Sequence, residues 1–189
     1  MEIKEVQEYE YLGGIVLSNG SCAKNVKKRI AKGYGMIREI KEILENTFFG
    51  SYYIEALILL RNSMLISVLT YNLEVSPKLS KTDIKQLEEV DLKLLRESLS
   101  LSSKSSKTLI YAELGLLSVE YILKKKRLLY LHNLLTRPEE NLARKVLLQM
   151  INIQTTGDWI QTVNKDLKDF QLLLDYDQIS NISKPSFKR

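Results

Sequence analysis

The spacing of hydrophobic residues changes once along the chain, near residue 20. Residues 3–17 alternate between polar and apolar, with valine, tyrosine and isoleucine prominent among the apolar ones, which is typical of a half-buried β-strand. The tripeptide Ser18-Asn19-Gly20 follows and predicts a turn. Beyond it, apolar residues recur at intervals of three and four, the spacing of an amphipathic helix. The pattern predicts a mainly α protein that begins with a short β-hairpin.

The helical part of the sequence divides into two regions. The predicted helices cover about residues 21–44, 52–71, 80–99, 108–135 with an interruption at Gly115, 139–150 and 158–174. Ser80 and Asp83 resemble a capping box at the start of the third helix. The serine-rich segment 100–107 predicts a hinge between domains. We therefore expect a hairpin at 1–20, helical regions at 21–99 and 108–176, and a flexible tail at 177–189.

The most apolar of these helices contains polar interruptions. The stretch 56–73 carries Arg61, Asn62, Ser63 and Asn72 among its apolar residues. A membrane span requires about 20 predominantly apolar residues, so we interpret this segment as a buried central helix.

The first predicted helix carries a cluster of positively charged residues. The 189 residues include 28 Lys and Arg against 23 Asp and Glu, a net charge of +5, which permits a polyanionic partner. Five cations occur in the first helix with no acid between them: Lys24, Lys27, Lys28, Arg29 and Lys32. Such a stripe can neutralise phosphates and release their counterions. A solvated helix face is the alternative that the sequence leaves open.

The sequence contains no recognisable catalytic or metal-binding constellation. Its single cysteine, Cys22, excludes an intrachain disulfide framework and a multi-cysteine metal site. A single histidine, His132, leaves little scope for zinc chemistry. Gly33 and Gly35 lie within a helical pattern and lack the flanking residues of a phosphate loop, which indicates a close helix crossing or a local weak point.

Two adjacent glycines end the aromatic run Tyr-Glu-Tyr-Leu-Gly-Gly at residues 9–14. Without side chains at Gly13 and Gly14, another molecule's backbone can approach the chain closely. A β-bulge at the same glycines is an equally simple explanation.

The run YEYLGGIVLSNGSCAKNVKKRIAKGYGMIREI resembles the segment that follows the catalytic palm in reverse transcriptases of non-LTR retrotransposons. The later segments resemble, in the same order, the thumb (PKLSKTDIKQLEEVDLKLLRESL) and the helical linker after it (YAELGLLSVEYILKKKRLLYLHNLL). The resemblance extends over about residues 8–174. It implies that Tyr11, Leu12 and Gly13 form the primer grip, which holds the primer backbone, and that the lysine-rich stripe contacts the duplex.

The same resemblance implies that this chain lacks the catalytic part of such an enzyme. The Tyr-x-Asp-Asp turn and the upstream aspartate of these RNA-directed DNA polymerases are absent from this sequence. The chain is therefore expected to be a non-catalytic C-terminal fragment without a cofactor, since Mg would bind in the missing palm. Its expected partners are RNA or an RNA/DNA template-primer and the missing fingers-palm part. We expect no membrane partner and an intracellular location, nuclear or cytoplasmic. The alternative is a helical protein-protein interaction module that does not bind nucleic acid.

Overall fold

The protein is mainly helical, in agreement with the prediction from sequence. A computed structural model describes residues 6–11, 13–18, 20–47, 50–76, 79–153, 159–172 and 175–182. Helices make up most of these ranges, and their only sheet is a two-stranded N-terminal hairpin.

The hairpin pairs β1 (Glu8–Tyr11) with β2 (Gly14–Leu17). Its antiparallel register runs from Tyr11 opposite Gly14 to Glu8 opposite Leu17 without interruption, so the glycines do not form a bulge. Gly13, between the two strands, has a φ of +76°, a conformation that favours glycine. The turn predicted at 18–20 is a separate feature, in which the Gly20 N–H donates to the Leu17 carbonyl at 2.9 Å.

The helices begin and end close to the predicted positions. Within the described ranges they are α1 (Ala23–Thr47), α2 (Tyr53–Leu60), α3 (Ile66–Thr70), α4 (Lys81–Ser98), α5 (Lys107–Glu113), α6 (Val119–Leu135), α7 (Leu142–Ile153), α8 (Trp159–Asp169) and α9 (Tyr176–Asn181). A 3-10 turn (Gly50–Tyr52) precedes α2, and a π-helical segment (Arg61–Leu65) joins α2 to α3. The predicted capping box is present at α4, where Ser80 and Asp83 each accept a hydrogen bond from the other's backbone N–H.

The chain divides into two compact units, of which the first comprises Met1–Leu73 and Leu79–Ile122. Its helices pack closely against one another at Gly33 of α1. A Cβ atom placed there would lie 2.7 Å from Leu69 Cδ2 and 3.0 Å from Val90 Cγ1. The close helix crossing predicted at this glycine is confirmed, whereas a Cβ at Gly35 would meet nothing within 4 Å.

The π-helical segment places an arginine in the interior of the first unit. Arg61 is fully buried, and its guanidinium donates two hydrogen bonds to the Asp91 carboxylate, at 2.8 and 2.6 Å. It also donates to the Leu117 carbonyl, and the Tyr111 hydroxyl donates to Asp91 at 3.0 Å. The continuous segment Tyr53–Thr70 is long and apolar enough to cross a membrane by length and composition, a test that buried core helices also pass.

The second unit comprises Glu74–Lys78 and Leu123–Arg189. Its core includes Leu131, Val163 and Ile179, all fully buried. The indole N–H of Trp159 donates to the Glu74 carbonyl at 2.8 Å, so the short segment before α4 is tied to α8.

Two boundaries differ from those expected. The serine-rich segment 100–107 lies within the first unit, because the division between the units falls inside α6. The expected tail from residue 177 begins with an ordered element, since α9 buries Ile179 and the Ile182 carbonyl lies 2.7 Å from His132 Nε2. Residues 183–189 lie outside the described ranges.

Candidate nucleic-acid interface

The hairpin is attached to the first two turns of α1. The Asn25 side chain, which is buried, accepts a hydrogen bond from the Ile15 N–H at 2.9 Å and donates one to the Ile15 carbonyl at 3.2 Å. Hydrogen-bonded pairs alternate along an antiparallel ladder, and Ser18 donates to Gln7, so the Ile15 backbone groups point away from β1. Asn25 therefore makes the hydrogen bonds that the Ile15 backbone would otherwise make with a neighbouring strand.

Arg29 fixes the turn of the hairpin. Its guanidinium donates to the Gly13 carbonyl at 2.6 Å and stacks over the Tyr71 ring, 4.5 Å from the centroid. Only 3% of the residue is exposed. We predicted Arg29 as a phosphate contact, and this burial corrects that assignment: Arg29 positions the Gly13 turn and does not face solvent.

Two of the predicted lysines are paired with β1. Lys24 forms an ion pair with Glu8, and Lys28 forms one with Glu10. The spacing fits because Lys24 and Lys28 are one helical turn apart, about 6 Å, and the two glutamates are separated by two strand residues, about 7 Å. The hydrogen bond and charge of Lys28 hold the pKa of Glu10 below its usual range, with a smaller contribution from the charge of Lys32.

The two remaining lysines are open to solvent. Lys27 and Lys32 are both exposed, and neither forms an ion pair within the part of the chain that the structure describes. Of the five predicted cations, these two are available to a phosphate without breaking an existing contact.

Two of the three predicted primer-grip residues, Tyr11 and Gly13, lie in the described part of the hairpin. Gly13 has open space in front of it, since a Cβ there would meet nothing within 4 Å. Tyr11 is the last residue of β1 and stands opposite Gly14, while Leu12 lies outside the described residues. The structure therefore brings Gly13 next to α1 through Arg29 and leaves its surface accessible.

Sequence reasoning missed the residues that hold this arrangement together. Asn25 and Tyr71 carry no pattern that marks them, because each contact depends on the docking of the hairpin. Glu8 and Glu10 offered a signal: two acids on one side of a strand match two lysines one turn apart on the next helix.

The other candidates for chemistry have structural contacts. His132 is buried beside the Ile182 carbonyl. Cys22 is partly exposed near the start of α1. Across the ranges that could be searched, no three acidic, histidine or cysteine residues form a group able to hold a metal ion.

Fold and surface together define a mainly helical protein with an N-terminal hairpin fixed to a basic helix. Comparison of the chain with protein-family models, with curated proteins and with solved structures found no match.

Proposed function

We propose that the chain is the non-catalytic C-terminal part of a non-LTR retrotransposon reverse transcriptase, and that it holds template-primer nucleic acid by its backbone. The carrying observation is the accessible Gly13 turn, which Arg29 and Asn25 fix to α1. Support also comes from the element order, a hairpin followed by packed helices, which agrees with the expected primer grip and thumb. Polymerisation requires the palm and its Mg sites, which we assign to the missing part of the parent protein.

The ion pairs with β1 limit the number of phosphates that the surface contacts. Lys27 and Lys32 contact phosphates directly, while Lys24 and Lys28 contribute mainly by holding the acidic strand in place. Each phosphate contact contributes about 0.7 to 0.9 to the log-log salt slope of binding. Two contacts give a slope of about 1.4 to 1.8, smaller than five free cations would produce. Binding is therefore weak and independent of base sequence, because backbone contacts position the duplex without reading it.

The proposal is tested by anisotropy titrations of an RNA/DNA hybrid at several salt concentrations. The double variant Lys27→Gln/Lys32→Gln is expected to lose most of the affinity and of the salt slope. The control, Lys81→Gln/Lys85→Gln, removes the same charge from two exposed lysines of α4 and is expected to bind like the wild type. Equal losses in both variants, or binding by the folded wild type that does not depend on salt, would refute a specific role for the α1 surface.

The alternative, a helical interaction module without nucleic-acid binding, predicts no binding by any of these proteins at low salt. Lys28 is kept intact in both variants because a charge change there would break its pair with Glu10 and disturb the hairpin.

A further inference from the structure

An open apolar groove lies in the second unit, between the end of α6, α7 and the start of α8. Its volume is about 630 Å³. Its lining includes Tyr130, Leu134 and Trp159. Leu134 and Trp159 are buried, so the open apolar surface of the groove is supplied by other lining residues, and a continuous exposed apolar patch is typical of binding surfaces.

The lining of the groove also includes a stripe on α7. Leu142, Val146 and Met150 line the groove at intervals of four residues and so lie on one face of the helix. Leu142 is 74% exposed and Val146 is 45% exposed, although α7 buries Leu147 on its inner side. The stripe is about 12 Å long, which matches two turns of a second helix.

The lining of the groove includes one cationic side chain. It belongs to Arg137, and Arg144, which does not line the groove, donates a hydrogen bond to the Arg137 carbonyl at 2.7 Å. Neither guanidinium forms an ion pair within the described ranges. The N-terminus of α7 begins here with no acid in its first turn, so its dipole adds to the charge. Glu139 and Glu140 are exposed just before α7 but do not line the groove.

We propose that this groove binds an amphipathic helix of a partner protein that carries carboxylates beside its apolar stripe. The apolar side chains of such a helix fill the groove along Leu142, Val146 and Met150, in the manner of other helix-in-groove complexes. A carboxylate of that helix pairs with Arg137, and a charge-assisted pair of this kind fixes orientation. The proposal does not depend on nucleic-acid binding, because every residue involved belongs to the second unit.

The chain carries its own reporter for this site. Trp159 is the single tryptophan, and it lines the groove, so intrinsic fluorescence reports whether the groove is occupied. The probe is a synthetic peptide of about 14 residues, stapled because helices this short are marginal in water. It carries leucines on one face and glutamates on both flanks of that face. The matched peptide has lysines in place of the glutamates.

We expect a saturable change in Trp159 emission with the glutamate peptide and about tenfold weaker binding of the lysine peptide. Val146→Glu places a charge in the groove and is expected to abolish binding, and Arg137→Glu is expected to reverse the preference between the peptides. The control Lys145→Glu alters an exposed α7 residue that does not line the groove and is expected to have a small effect. Circular dichroism verifies that each variant is folded.

Three results would overturn the proposal. They are an unchanged Trp159 emission with the glutamate peptide, equal affinity for both peptides, and self-association of the wild type that Val146→Glu removes. The last result would show that a second copy of the chain occupies the groove.

Discussion

Contacts made by individual side chains position the hairpin, and its short β-ladder contributes less. A two-stranded hairpin is marginal by itself in water, and here Asn25, Arg29 and two lysines attach it to α1. A neutral amide and a buried guanidinium therefore carry most of the geometry, and the exposed ion pairs add a smaller contribution because solvent screens them.

Replacement of Gly13 tests the primer-grip assignment. Gly13→Ala is expected to destabilise the protein by about 1 kcal/mol, since its φ of +76° is unfavourable for a residue with a Cβ. It is also expected to weaken binding to the RNA/DNA hybrid, because the added methyl group occupies the approach surface. Gly20→Ala is the matched control, with a φ of +69° and open space around it. Chemical denaturation and anisotropy measure the two effects, and unchanged affinity in Gly13→Ala would argue against the assignment.

Tyr111 gives the first unit a dependence on alkaline pH. Burial, followed by the charge of Asp91, raises the pKa of Tyr111 well above its usual range. The unfolded chain ionises this tyrosine near pH 10, whereas the folded protein keeps it neutral, so the free energy of unfolding falls as the pH rises above 10.

We therefore expect Tyr111→Phe to be less stable than the wild type at pH 8, by about 1 to 2 kcal/mol, because Asp91 loses a hydrogen bond. At pH 11 the difference is expected to narrow by about 1 kcal/mol. The effect of Lys107, whose pKa is raised by its hydrogen bond to Glu88, cancels because both proteins retain it. Urea denaturation at the two pH values measures the change. Tyr52→Phe, at an exposed position, serves as the control, and a difference that stays constant with pH would contradict the expectation.

At the scale of elements, α1 has two glycines with opposite roles. Gly33 lies where a Cβ would press on the buried side chains of Leu69 and Val90, but Gly35 faces open space. Gly33→Ala is expected to destabilise the protein by about 1 to 3 kcal/mol through overpacking. Gly35→Ala is expected to stabilise it by about 0.5 to 1 kcal/mol, since alanine favours the helix. Thermal unfolding of both variants provides the measurement, and shifts of the same sign would disprove the close crossing at Gly33.

Periodicity predicted the elements well because most helices present one continuous apolar face to a core. Ser80 marked the start of α4, and Gly115 marked the break before α6, since caps and left-handed glycines are local signals. The π-helical segment at Arg61 was not predicted: its extra residue is stabilised by Asp91, 30 residues away. The site was predicted in part, because charge was visible in sequence but the burial of Arg29 depends on Tyr71 and Gly13.

At the scale of the whole molecule, the second unit is built from two separate stretches of chain. Glu74–Lys78 belongs to it although α4 and α5, which follow in sequence, belong to the first unit. The carbonyl of Glu74 accepts the Trp159 indole hydrogen bond. A sequence-based hinge at 100–107 could not reveal this arrangement, because local composition carries no information about a contact 85 residues away.

Each unit combines separate stretches of the chain, so a single cut in the backbone is not expected to separate the two resulting pieces. A protease site can be inserted between Ser103 and Lys104, both of which are exposed. Cleavage there would place Asp91 and Tyr111 on different fragments, and likewise Glu74 and Trp159, although each pair is joined by a hydrogen bond. The two pieces are expected to co-elute in native gel filtration and to part only in denaturant, whereas two native peaks would contradict this. By the same reasoning, a protein made of residues 108–176 alone would lack Glu74–Lys78, a segment that belongs to the second unit.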